Sequence, residues 1–236
     1  MKAIDLAKYP GDLIDRIFNE IPHIRKSIEA DPKQRNFFVN ASRIFEVDPN
    51  ETIIRRGEFD QWVYYLLAGQ LLVYPEFIDR KSNLVSYISP GEMFGELSFI
   101  RELDRNATII ADPNSNRIIC LGTDFSSFGK IDDFSKVPIS TKITFYQVAI
   151  DIIRKRLESL RIDYPDNELA HKRTFFKAFN GPRGTMHELL YLNDQSKDYA
   201  NILCKWNRSL EMDSNYHATK GRVPADLVDQ LLKVED

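Results

Sequence analysis

Cysteine is close to absent from this 236-residue chain: Cys120 and Cys204 are the only two. Two thiols so far apart exclude a disulfide framework and lack the spacing of a zinc knuckle, so reduced thiols are expected. Long apolar runs are missing too. No stretch approaches the ~20 residues that a bilayer span needs. The opening M-K-A-I-D-L-A-K-Y-P-G-D has no apolar core of the signal-peptide kind, and a soluble, cytoplasmic protein is expected. Charge of one sign is also lacking. The formal net charge of -3 argues against an extended nucleic-acid surface. Catalytic signatures are missing as well. There is no G-x-S-x-G elbow, and Gly181-Pro182-Arg183-Gly184-Thr185 has neither the lysine nor the spacing of a P-loop. His187-Glu188 starts like a zinc-protease helix, but Tyr191 stands where the second ligand belongs. No enzyme is expected.

What is present is a change of period along the chain. Residues 3 to 30 read as helical: Leu13, Ile14, Ile17, Phe18 and Ile21 share a face, with Asp12 as a cap. Pro22 breaks that helix, and a second piece runs to Asp31-Pro32. From Arg43 the pattern turns to strands. Ile44 to Glu46, Thr52 to Ile54, W-V-Y-Y-L-L-A-G-Q-L-L-V-Y with a hairpin at Gly69, Leu84 to Ile88, Thr108 to Ala111 and Arg117 to Leu121 are short and separated by turns. Residues 79 to 83 read as an exposed loop. Such strands predict an antiparallel sandwich or barrel. None of His23, His171, His187 and His217 lies within residues 43 to 128, which argues against a metal-dependent barrel enzyme.

From Pro138 the period is helical again, with Ser135 as a possible cap. Ile143, Tyr146, Ile150, Ile153, Leu157, Leu160 and Tyr164 follow a 3, 4, 3, 4, 3, 4 spacing up to Pro165. That is a heptad seam, and it predicts a homodimer through Ile143, Tyr146, Ile150, Ile153, Leu157 and Leu160, with packing on the chain's own barrel as the alternative. Further helices are expected over Leu169 to Phe179, Met186 to about Met212, and from Pro224. Lys172-Arg173 is the one basic pair in that region, so no recognition helix is evident and DNA is not an expected partner.

The stretch with chemistry is residues 91 to 108, G-E-M-F-G-E-L-S-F-I-R-E-L-D-R-N-A-T. Glycine lets a backbone approach a phosphate closely. Arginine offers a planar fork of donors to two phosphate oxygens, and a nearby acid accepts from a ribose hydroxyl. These residues suit a phosphate joined to a ribose.

The run F-G-E-L-S-F-I-x-x-x-x-R-N-A-T resembles the phosphate-binding cassette of the cyclic-nucleotide-binding domain family, F-G-E-L-A-L followed by P-R-x-A-T. The likeness extends over roughly residues 43 to 160, and Gly57, Gly69, Gly91 and Gly95 stand where the family places glycine. The resemblance implies an α+β fold: an antiparallel, jelly-roll-like β-roll with N-terminal helices, a long helix after the barrel and a helical C-terminal region. The divisions it implies are 1–42, an N-terminal helical segment; 43–137, the β-roll; 138–165, the long helix; and 166–236, a helical output or docking module with a protein partner of its own.

By the same resemblance, Arg105 pairs with a cyclic phosphate and Glu96 accepts from the ribose 2′-hydroxyl. Gly95, Leu97 and Ser98 supply backbone donors. Asn106 faces the phosphate or a guanine edge beside Ala107. The ligand is cyclic AMP or cyclic GMP, with cyclic AMP favoured, and no metal or other cofactor is implied. Asp104 departs from the family proline and sets a negative charge beside Arg105, which lowers phosphate affinity. The expected function is a cyclic-nucleotide receptor that relays binding through the helix after the barrel. The alternatives are a β-roll that holds no nucleotide and acts as a dimeric interaction protein, and, more weakly, a transcription regulator.

Overall fold

The computed structural model describes residues 1–75, 84–172 and 176–211. Two antiparallel sheets face each other. One is five-stranded, in the order β1 (Lys2–Asp5), β2 (Ser42–Val47), β9 (Ile118–Asp124), β4 (Trp62–Ala68), β7 (Met93–Phe94). The other is four-stranded: β3 (Thr52–Ile54), β8 (Thr108–Ala111), β5 (Leu71–Tyr74), β6 (Ser86–Ile88). β4 is buried from Val63 to Leu66 without alternation. Both of its faces are covered: Tyr64 stacks on Phe94 inside the roll, while Tyr65 lies against His23 of a helix outside it. A strand covered on both sides reads as a continuous apolar run. At the β4–β5 turn Gly69 has φ +87°, and an added Cβ would sit 2.6 Å from the Arg117 carbonyl, so only glycine fits.

Helices α1 (Gly11–Glu20), α2 (Pro22–Ala30) and α3 (Gln34–Ala41) precede the roll. The break at Pro22 is as expected, with proline in the first turn of α2. Three details differ from the sequence reading. Residues 2 to 5 are an edge strand paired with β2, Ile4 opposite Ile44, because pairing with a distant strand overrides a weak local signal. α3 was not expected; its one buried apolar side chain, Phe38, gives it almost no period. Pro10, not Asp12, caps α1.

The short α4 (Glu96–Arg101) is the helix of the glycine-acid stretch, and α5 (Ile139–Asp163) is the predicted long helix, capped by Pro138 rather than Ser135. α6 (Met186–Glu211) matches its expected span. Its start is a capping box: Thr185 Oγ1 accepts from the Glu188 N–H at 3.3 Å, and a Glu188 carboxylate oxygen accepts from Gly184 N–H at 2.6 Å. Glu188 is therefore a helix cap, which accounts for the zinc-protease-like opening. The helix expected over Leu169 to Phe179 is absent from its described residues, where the chain makes turns and irregular backbone ahead of Gly181-Pro182. The loop at 79 to 83, Arg173 of the basic pair, His217 and the helix from Pro224 fall outside the described residues.

The heptad stripe of α5 is used within the chain. α5 packs against α2 on one side and α6 on the other, and Ile153 and Leu157 are fully buried. A dimer through Ile143, Tyr146, Ile150, Ile153, Leu157 and Leu160 would first have to strip α5 from its own neighbours. α6 shares the same core: one buried cluster runs from Leu6 to Leu210. Its centre is aromatic. Phe99 of α4 lies 4.9 Å from Phe125 and 5.5 Å from Phe145 of α5, and Phe145 meets His23 of α2 at 5.9 Å.

Candidate functional site

Two backbone bonds place Arg105. Its N–H donates to the Glu58 carbonyl and its carbonyl accepts from Gly57 N–H, both at 2.9 Å. This clamps the residue against the β3–β4 loop and turns its side chain inward, where it is 3% exposed. There the guanidinium forks onto Asp60, with Nε donating to Oδ2 at 3.0 Å and Nη2 to Oδ1. Nη2 also donates to the Trp62 carbonyl at 2.6 Å. Nη1 donates to the Gly95 carbonyl at 2.6 Å and to Ser98 Oγ at 2.7 Å. Gly95 is required here. With φ +80°, a Cβ on it would lie 2.9 Å from Arg105 Nη1. Arg105 pairs with Asp60 and not with Glu102, its neighbour in sequence. Glu102 bonds Lys197 of α6 at 3.2 Å instead.

Glu96, the first residue of α4, is fully buried. One oxygen, Oε1, accepts from Arg156 Nη1 of α5 at 2.8 Å, while Arg156 Nη2 donates to the Met93 carbonyl. The other oxygen, Oε2, has no hydrogen-bond partner. A carboxylate has about four acceptor positions, and a buried one left unmet is costly. Arg156 was missed by the sequence reading. It lies on α5 three residues beyond Ile153, outside the heptad stripe, and nothing local marks it.

Both residues line one cavity of about 670 Å³, a size common to small-molecule sites. Its lining includes all seven predicted site residues, Gly95, Glu96, Leu97, Ser98, Arg105, Asn106 and Ala107. It also includes residues that the sequence reading did not assign to the site: Lys155 and Arg156 on α5, Tyr164 at its C-terminal end, and Leu203 and Asn207 on α6. Asn106 is engaged by α6, its amide donating to Cys204 Sγ at 3.1 Å. Arg101 of α4 likewise donates to Asn201 at 2.9 Å. Thr108 is buried outside this lining, and its hydroxyl accepts from Arg56 N–H. Asp104 is exposed. Both thiols are free and buried, and burial pushes the Cys120 thiol up to about 12. Among the described residues no cluster of His, Cys, Asp and Glu is arranged to hold a metal ion.

The family model described as the cyclic nucleotide-binding domain matches residues 44–122. Residues 44–122 of this chain are a cyclic nucleotide-binding domain. Among curated proteins, a cGMP-dependent protein kinase of Plasmodium berghei is 30% identical over 103 residues, 42% of this chain and 11% of the kinase. The cAMP-activated global transcriptional regulator CRP of Pasteurella multocida is 30% identical over 66 residues, 28% of this chain and 32% of the regulator. The alignments thus span a third or less of those relatives. Among solved structures, the regulatory domain of Toxoplasma gondii PKA co-crystallised with cAMP is 20% identical, with a TM-score of 0.43 over 60% of this chain and 53% of that one. The regulatory subunit of a cAMP-independent protein kinase A from Trypanosoma brucei is 22% identical, with a TM-score of 0.41 over 49% of this chain and 40% of that one. In this chain the cyclic nucleotide-binding domain carries the glycines, the acid and the arginine of its cassette, and helices outside the matched region close its cavity.

Proposed function

We propose that this chain is a non-catalytic receptor for a cyclic nucleotide, with cyclic AMP as the first ligand to test. The observation that carries the reading is the unpartnered Oε2 of fully buried Glu96, a residue that lines the same cavity as Arg105. It is an acceptor placed for a hydroxyl donor, beside a cation. The ribose 2′-hydroxyl of a cyclic nucleotide supplies the donor and its phosphate the anion. Arg156 ties the same carboxylate to α5, and Phe99 ties α4 to Phe145 on α5. Ligand on Glu96 therefore reaches α5 and, through it, α6. This is a two-state relay in which the ligand favours the arrangement it bonds better. A cytoplasmic setting belongs to this reading and accords with two buried free thiols.

One observation favours the second reading, a β-roll interaction protein without nucleotide: the donors of Arg105 are all engaged internally. Titration calorimetry with cyclic AMP, cyclic GMP and linear AMP separates the two. A receptor binds a cyclic nucleotide in preference to linear AMP and loses about 2–5 kcal/mol of that affinity in Arg105→Ala. No heat at millimolar ligand, or equal binding by Arg105→Ala, contradicts it.

A further inference from the structure

We propose that the Ser98 hydroxyl sets how strongly this cavity prefers a phosphate-bearing ligand over the bare nucleoside, by occupying the one arginine donor that a phosphate can capture. The proposal rests on the receptor reading above. A guanidinium has five N–H donors, and each has an acceptor here: two on the Asp60 carboxylate, one each on the carbonyls of Trp62 and Gly95, and one on Ser98 Oγ. A phosphate must therefore displace an existing partner.

The five bonds are not equally replaceable. The carbonyls are part of the main chain. Asp60 is charged, holds the guanidinium by two bonds, and is itself fixed by the Trp62 N–H donating to it at 2.9 Å. Ser98 is neutral, and its oxygen moves with rotation about one side-chain bond. Its own proton goes to the Gly95 carbonyl at 3.1 Å. A phosphate oxygen, being charged, is the stronger acceptor and replaces the hydroxyl, but only after the Ser98–Arg105 bond is lost.

Removing the hydroxyl leaves one buried Nη1–H of Arg105 without an acceptor until a phosphate arrives, so the phosphate gains what the serine previously held. A nucleoside makes no demand on that donor. The test is calorimetry of wild type and Ser98→Ala with cyclic AMP and with adenosine, each protein first checked by thermal unfolding. Ser98→Cys, which keeps the volume but is a weaker acceptor, is the second variant. The affinity ratio of cyclic AMP to adenosine is expected to rise roughly tenfold in Ser98→Ala, and by less in Ser98→Cys. An unchanged or smaller ratio in both variants overturns the proposal, because the hydroxyl then either does not compete or itself serves the phosphate. Absence of binding by all three proteins to either ligand removes the receptor reading, and the proposal with it.

Discussion

Arg105 and Glu96 line one cavity in opposite hydrogen-bonding states. On the arginine side every donor is satisfied by the loop, strand and cassette around it. On the glutamate side one oxygen is held by Arg156 and the other is bare. A satisfied group holds its own geometry but must give something up to a ligand. An unmet one gains outright when a donor arrives. In the receptor reading, the glutamate side gains a hydrogen bond outright on binding, whereas the arginine side exchanges an existing partner for the phosphate.

The largest way to break that comparison is to strip the glutamate of its one partner. Arg156→Ala leaves a fully buried carboxylate unpaired and is expected to cost about 3–5 kcal/mol in denaturant unfolding. A loss under 1 kcal/mol would contradict the comparison, because the pair would then contribute little. On the opposite side, Gly95→Ala puts a Cβ against the Arg105 guanidinium at positive φ. It should cost about 1–3 kcal/mol and weaken any phosphate preference, measured by unfolding and calorimetry together.

A third test concerns the aromatic cluster that α4 joins through Phe99. His23 is buried beside Phe38, Tyr65, Phe125 and Phe145, and burial lowers its pKa from 6.5 to about 3. The unfolded chain takes up that proton near pH 6.5, whereas the folded chain does not. Stability is therefore full above that pH and falls by about 1.4 kcal/mol per unit as pH drops toward 3. Denaturant unfolding at pH 7, 6 and 5 should show this slope, and His23→Leu should flatten it. The smallest effect belongs to the rim. Lys197→Ala removes an exposed pair with Glu102 between α6 and the loop after α4, and should change stability by under about 1 kcal/mol.

How much of this was legible beforehand follows from the range of the signals. The strands, their turns, the glycines and the seven cassette residues carry local patterns, and the structure brings those residues to one cavity. The partners of the charged pair do not. Asp60 lies forty-five positions from Arg105, and Arg156 sixty from Glu96. Only the fold brings them together, and neither stands in a motif. The stripe on α5 was read correctly as apolar, but apolar spacing does not say whose surface covers it. Here α2 and α6 of the same chain do. α6 had no recognisable role in sequence, and its contribution of Leu203 and Asn207 to the cavity depends on a turn region that has no period at all.

The most direct measurement is the affinity of the wild-type protein for cyclic AMP against 2′-deoxy cyclic AMP, by titration calorimetry at one salt concentration. The bare oxygen of Glu96 predicts weaker binding of the deoxy analogue by roughly 10- to 100-fold, the worth of one hydrogen bond to a charged acceptor. Equal affinity for the two would contradict the account.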